Sequence, residues 1–249
     1  MSAEKSLAIV LRTIEFSETS VVATLFTETF GKISALAKGA RRPKGPFESA
    51  LDLLAVVRIV FLHKSSDALD LLTEAKLERR FRAAARDLSR LYAGYYVAEL
   101  LTELTDAGDP HADLFSAADA ALARLDSDAP VAITLLDFEL TALRLLGHLP
   151  SLHDCVGCGN PVETVGRIAF GLVVGGVLCS TCRPGQRQVV SISAPALVAM
   201  RKLAEANENA EFTELEPKVG GELRGILSSY LAHLLGHKPK MHDYLKSLA

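Results

Sequence analysis

Three observations predict a multidomain α+β protein. Five short stretches of β-branched and apolar residues fill the first 75 or so positions, helical periodicity takes over near residue 78, and two C-x-x-C pairs stand twenty residues apart further on. Together they place an OB-type β-barrel at residues 1–78, a helical domain divided between 79–151 and 186–249, and an inserted zinc-ribbon-like element at 152–185.

The barrel comes first. Residues 6–14, 20–27, 32–38, 54–62 and 69–75 read as strands, with a glycine turn at Glu28–Gly31 between the second and third. Strands this short and this many hide their edges best by closing on one another, which is the solution of a small OB-type barrel.

From Glu78 the period lengthens. Phe81, Leu88, Leu91, Tyr92, Tyr95, Tyr96, Leu100 and Leu104 recur at steps of three and four, predicting an amphipathic helix that stops at Gly108-Asp109-Pro110. Residues 113–125 and 133–146 predict two more helices, the second closed by Gly147 and Pro150. Residues 196–205 and 221–235 are again helical, with an acidic loop at 207–218.

Cys155-Val156-Gly157-Cys158 and Cys179-Ser180-Thr181-Cys182 hold every cysteine of the chain. Two such knuckles match a tetrahedral Zn²⁺ site, whose bonds to thiolate are about 2.3 Å. Four protein ligands leave no open position, so the expected role is structural. Two disulfides, a redox pair, or His153 in place of one sulfur are the alternatives. Residues 167–170 and 172–174 predict a hairpin supporting the second knuckle.

The net charge is −3, which excludes a uniformly basic coat, but the charge is uneven. Residues 1–80 hold 12 Lys and Arg against 10 Asp and Glu; the remainder holds 15 against 20. Lys32, Lys38, Arg41, Arg42 and Lys44 lie within 31–45 with no acid among them, on a segment that Gly39, Pro43, Gly45 and Pro46 keep irregular. Such a loop suits phosphates. Arg12 extends its path. Arg79, Arg80, Arg82, Arg86 and Arg90 form a second basic set at the start of the first helix.

No phosphate-binding G-x-x-x-x-G-K-[ST] and no G-x-S-x-G occurs, and His233 and His237 lack the glutamate of H-E-x-x-H. No enzyme, nucleotide cofactor or catalytic residue is expected. The amino-terminal residues lack a secretory pattern and no apolar run reaches the length of a membrane span, so the expected location is cytoplasmic, alongside the nucleoid.

The chain also resembles a known family, the RecO proteins of bacterial DNA repair. The resemblance rests on Val10-Leu11-Arg12-Thr13, Phe16-Ser17-Glu18-Thr19-Ser20, Ala37-Lys38-Gly39-Ala40-Arg41-Arg42, Leu91-Tyr92-Ala93-Gly94-Tyr95-Tyr96, Phe138-Glu139-Leu140, the knuckles with Gly175-Gly176, and Lys238-Pro239-Lys240. It implies a recombination mediator that binds single- and double-stranded DNA and anneals complementary strands. With RecR it would load RecA onto strands coated by single-strand-binding protein (SSB). It also implies contact with the acidic SSB tail, for which Arg144 is a candidate rim residue. A zinc-ribbon and OB-fold RNA-binding factor is the alternative, and an architectural adaptor a further one.

Overall fold

The computed structural model describes residues 2–42, 45, 47, 50–63, 69–83, 87–205 and 215–245. No helix among them is long and apolar enough to cross a membrane. The chain forms two compact units, Met1–Asp128 and Ala129–Ala249.

In the first unit, β1 (Ala3–Glu15), β2 (Val21–Thr27), β3 (Gly31–Ala37), β4 (Val56–Leu62) and β5 (Asp70–Arg79) close into a barrel in the order β1-β2-β3-β5-β4. Closure depends on β1. Its first half, Ala3 to Ile9, pairs with β4, and Ala8 to Glu15 pair with β2. The register slips between Val10 and Arg12. An extra residue there bends the strand so that it can serve two neighbours. Strands β3 and β5 run parallel, and every other pairing is antiparallel.

Alternation decides which side faces in. Val21, Ala23, Leu25, Ile33, Ala35, Ala37, Val57, Ile59, Phe61 and Leu72 fill the interior. Alanine at Ala8, Ala23, Ala35 and Ala75 leaves room for Leu25 and Phe61 in so narrow a cylinder.

Two helices complete this unit. The first, α1 (Leu88–Leu104), starts at Asp87, whose carboxylate accepts the Ser89 N–H at 2.8 Å. The helix predicted from residue 78 therefore begins ten residues later. Residues up to Arg79 continue β5 instead, with Arg79 opposite Val56, because pairing with β4 satisfies their backbone first. In α2 (Ala112–Leu125), Phe115 stacks on Phe26 of β2 with ring centroids 6.4 Å apart. Gly31, at φ 64°, lies so close to the loop between α1 and α2 that a Cβ would sit 2.1 Å from the Asp109 carbonyl oxygen. The helices expected as one domain with the C-terminal half are thus divided: α1 and α2 belong with the barrel.

The second unit holds α3 (Val131–Leu145), α4 (Ala194–Glu205), α5 (Pro217–Leu235) and a single-turn α6 (His242–Leu245). The inner faces of α3 and α5 are joined by Arg224 and Glu139, 2.6 Å apart, with Glu139 fully buried. Its small sheet has the order β7-β6-β8, from β6 (Arg167–Gly171), β7 (Gly176–Leu178) and β8 (Val189–Ser193). The hairpin strand expected at 172–174 is the turn itself. Gly175 takes φ 71° and the return strand starts at Gly176, where a Cβ would come within 2.5 Å of the Ser151 carbonyl oxygen. Strand β8 was not anticipated; its five residues follow the polar run 183–188 and lead straight into α4.

Candidate nucleic-acid interface and metal centre

Strand β7 assembles the cysteine centre. Val177 bonds on both sides: its N–H donates to the Ser151 carbonyl at 2.9 Å, and its carbonyl accepts the Val156 N–H at 3.1 Å. This pins the first knuckle to the strand whose end leads straight into Cys179. Backbone bonds close each knuckle: Gly159 N–H to the Cys155 carbonyl and Cys155 N–H to the Asn160 carbonyl, both at 2.8 Å, and Arg183 N–H to the Cys179 carbonyl at 3.0 Å. Gly157 is required by contact, because a Cβ there would fall 2.9 Å from the Cys182 Cβ.

The four sulfurs lie within 4.8 Å of one another, and Cys158 and Cys179 Sγ are 3.9 Å apart. A tetrahedron with arms of about 2.3 Å has edges of about 3.8 Å. The four therefore fit a tetrahedral metal ion. All four cysteines are unbridged, and His153 engages Glu205 at 2.9 Å.

The electrostatics point the same way. The Cys179 N–H donates to Cys155 Sγ at 3.4 Å, and this bond chiefly draws the Cys155 thiol down to about 6. Cys179 is also lowered, first by the Cys182 backbone. Cys182 is pushed up to about 12, first by sharing its proton with the Cys179 sulfur and then with Cys158. Four thiolates in contact repel, and a bound dication removes that conflict. From α4, Arg201 donates to the Leu152 carbonyl at 2.8 and 2.6 Å and to Thr164 Oγ1 at 2.7 Å, tethering the segment around the knuckles. A lone arginine in a helical stretch carries no signal of that role.

The basic loop leaves β3 at Ala37. Gly39, at φ 73°, turns it, and Arg42 N–H closes the turn on the Gly39 carbonyl at 3.0 Å. Arg41 N–H donates to the Thr19 carbonyl at 3.0 Å, tying the loop to the β1–β2 hairpin. Lys38, Arg41 and Arg42 are exposed, as is Arg12 on β1. Arg41 pairs with Glu15 at 3.0 Å. Both partners are largely in water, where such a pair is worth about 0–1 kcal/mol and a phosphate can compete for it. Lys44 and Arg86 lie outside the described residues.

Lys32 is placed differently. Its Nζ donates to the carbonyls of Thr102 and Thr105 at 2.5 and 2.6 Å, closing the end of α1. Burial lowers its pKa, although Asp106 and Glu103 pull it up. The second basic set also turns inward in part. Arg79 bonds the Asp119 carboxylate and backbone, and Arg90 reaches the Leu125 carbonyl at 3.2 Å. Arg80 and Arg82 remain exposed on an open groove of about 760 Å³ with Leu77, Glu78 and Asp126, so acids dilute their charge. Arg144, in the last turn of α3, is exposed.

Comparison with known proteins covers the same ground. The family model described as Recombination protein O N terminal matches residues 1–81, and that described as Recombination protein O C terminal matches residues 85–243. The chain is 46% identical to a protein named DNA repair protein RecO from Rhodopirellula baltica, over 96% of this chain and 97% of that one. It is 34% identical to the protein of that name from Anaeromyxobacter dehalogenans, over 100% and 98% of the two chains, and 32% identical to that of Myxococcus xanthus, over 96% and 95%.

Proposed function

This chain belongs to the RecO family of DNA repair proteins, and from that membership we propose that it works as a recombination mediator that binds single- and double-stranded DNA and anneals complementary strands. The observation that carries the reading is the exposed cation cluster of Lys38, Arg41 and Arg42 on the loop leaving β3 of a closed five-stranded barrel, with Arg12 also exposed on β1. Two complementary strands repel as polyanions, and a protein that neutralises phosphates on both lowers that barrier without making or breaking a covalent bond. The loop holds one strand. Arg80 and Arg82 offer a weaker hold on the second.

Cys155, Cys158, Cys179 and Cys182 would hold one structural Zn²⁺, whose chemistry is to neutralise the thiolates and staple the 152–185 segment. On this reading the protein acts with RecR to load RecA on SSB-coated strands, in the cytoplasm at the nucleoid. Arg144 would meet the acidic SSB tail, and an Arg144→Ala variant that binds a tail peptide at full affinity removes that assignment.

The deciding experiment is annealing of complementary oligonucleotides, bare and SSB-coated, at two salt concentrations, with metal content measured on the same preparation. Accelerated pairing that weakens with salt is expected. Pairing no faster than in buffer at low salt refutes the proposal.

A further inference from the structure

The cysteine centre has a neighbour that a purely structural zinc site does not use. An open groove of about 350 Å³ runs beside it, and Cys179 forms part of the groove wall. Val165, Ile168 and Leu178 give the groove apolar sides, and Val165 stands 75% exposed. Its charged side chains are Glu163, Arg167 and Arg183. Arg167 is engaged by Glu222 at 3.1 Å and by Ser191 at 2.8 Å. Arg183 is exposed, and its backbone bond to the Cys179 carbonyl keeps it on the same turn as that sulfur. Residues 179–188 hold Arg183 and Arg187 and no acid, so this end of the groove suits an anion.

The four cysteines are not equivalent. Cys155 is buried, Cys158 is exposed, and Cys179 and Cys182 lie between. Cys179 alone lines the groove. Its sulfur lies 3.9 Å from that of Cys158, on the other knuckle. A disulfide is about 2.05 Å long, so a movement of about 2 Å would join the two.

We propose that Cys179 is a site of reversible thiolation by anionic low-molecular-weight disulfides, and that Cys158 completes the exchange. The Cys179 sulfur attacks one sulfur of the disulfide, whose S–S bond breaks, and one thiolate leaves with the electron pair. The Cys158 sulfur then attacks the Cys179 sulfur of the mixed disulfide. A Cys158–Cys179 bond forms and the second thiolate leaves. Two cysteine thiolates are oxidised and one disulfide is reduced to two thiolates, so no other oxidant is needed. The apolar sides and Arg183 receive the body and the carboxylates of the reagent. The inference rests on the zinc reading above. With two of its four ligands joined, the centre no longer holds its ion, and the 152–185 segment is released. A reducing thiol reverses the change.

The test treats the protein as purified with oxidised glutathione, quenches samples in acid at intervals and maps them by mass spectrometry, while a chelating dye follows released metal. Glutathione should appear on Cys179 first and the Cys158–Cys179 bridge later, with metal released in step with the bridge. Dithiothreitol and Zn²⁺ should restore the starting melting temperature. Arg183→Ala should keep its metal and its stability, because only the backbone of that residue closes the knuckle. Its reaction with oxidised glutathione should slow roughly threefold, and that with cystamine, a cationic disulfide, should not slow. Metal-loaded protein that resists the reagent, a first adduct on another cysteine, a bridge within one knuckle, or an Arg183→Ala variant that treats both disulfides as the wild type does overturns the inference while the zinc reading stands. Protein that carries no metal overturns both.

Discussion

The loop after β3 and the segment after β5 each carry a run of cations and direct them oppositely. Lys38, Arg41 and Arg42 project from a turn tethered to the neighbouring hairpin through the backbone N–H groups of Gly39 and Arg41, so no side-chain charge is consumed in holding the loop except in the weak, exposed Arg41–Glu15 pair. After β5, Arg79 and Arg90 fasten α2 and the end of α2 to the barrel unit. Lys32, on β3 six residues before Lys38, is likewise taken up by carbonyls. A cation contributes to a polyanion surface only when nothing inside the protein needs its proton donors. Counting cations along the chain does not reveal that.

Four experiments can break or sharpen this contrast. The largest effect concerns neither set. Removing metal by chelation, or making Cys158→Ser, should unfold the knuckle segment, since structural zinc carries an apparent binding free energy of about 10–16 kcal/mol. Thermal unfolding should show the second unit destabilised with DNA affinity retained; an unchanged melting profile would deny the centre any structural role.

Next, Arg41→Glu with Arg42→Glu should cut single-strand affinity on the order of a hundredfold at low salt. It should also flatten the log K against log salt slope by about 1.4, from about 0.7 for each of two phosphates lost. Melting temperature should not move. Wild-type affinity in this variant would shift the interface elsewhere.

Third, Arg79→Ala should do the reverse. It should cost about 1–2 kcal/mol of stability, after allowing for the part-exposed setting of the pair, and leave DNA affinity alone. Denaturant unfolding and oligonucleotide binding on one preparation would show it.

The smallest effect is expected at Lys32→Met, about 1 kcal/mol, again without loss of DNA binding. Here pH provides a second test. Burial holds the Lys32 pKa below its ordinary 10.5 in the folded chain, so just below 10.5 the unfolded chain binds more protons and stability rises with pH. The methionine variant should lose that rise.

The elements written in local pattern were legible. Strict alternation such as Gly31, Ile33, Ala35, Ala37 declares a strand and its inner face, and two C-x-x-C knuckles declare their own ligand set. The turn at 172–174 was misplaced for a physical reason. A three-residue apolar run can lie flat or turn, and Gly175 and Gly176 choose the turn only because Ser151 packs against them. The start of α1 was misplaced because the residues up to Arg79 have a partner strand that periodicity cannot see.

What the amino-acid order determined by itself is the set of five strands, the helical runs, the four thiols and the position of the exposed loop, all governed by interactions within a few residues. Only the tertiary structure decided which cations face solvent, that α1 and α2 join the barrel unit, and that Glu139 meets Arg224. Those outcomes depend on residues far apart in the chain competing for the same donors, acceptors and apolar surface, and that competition is settled by packing.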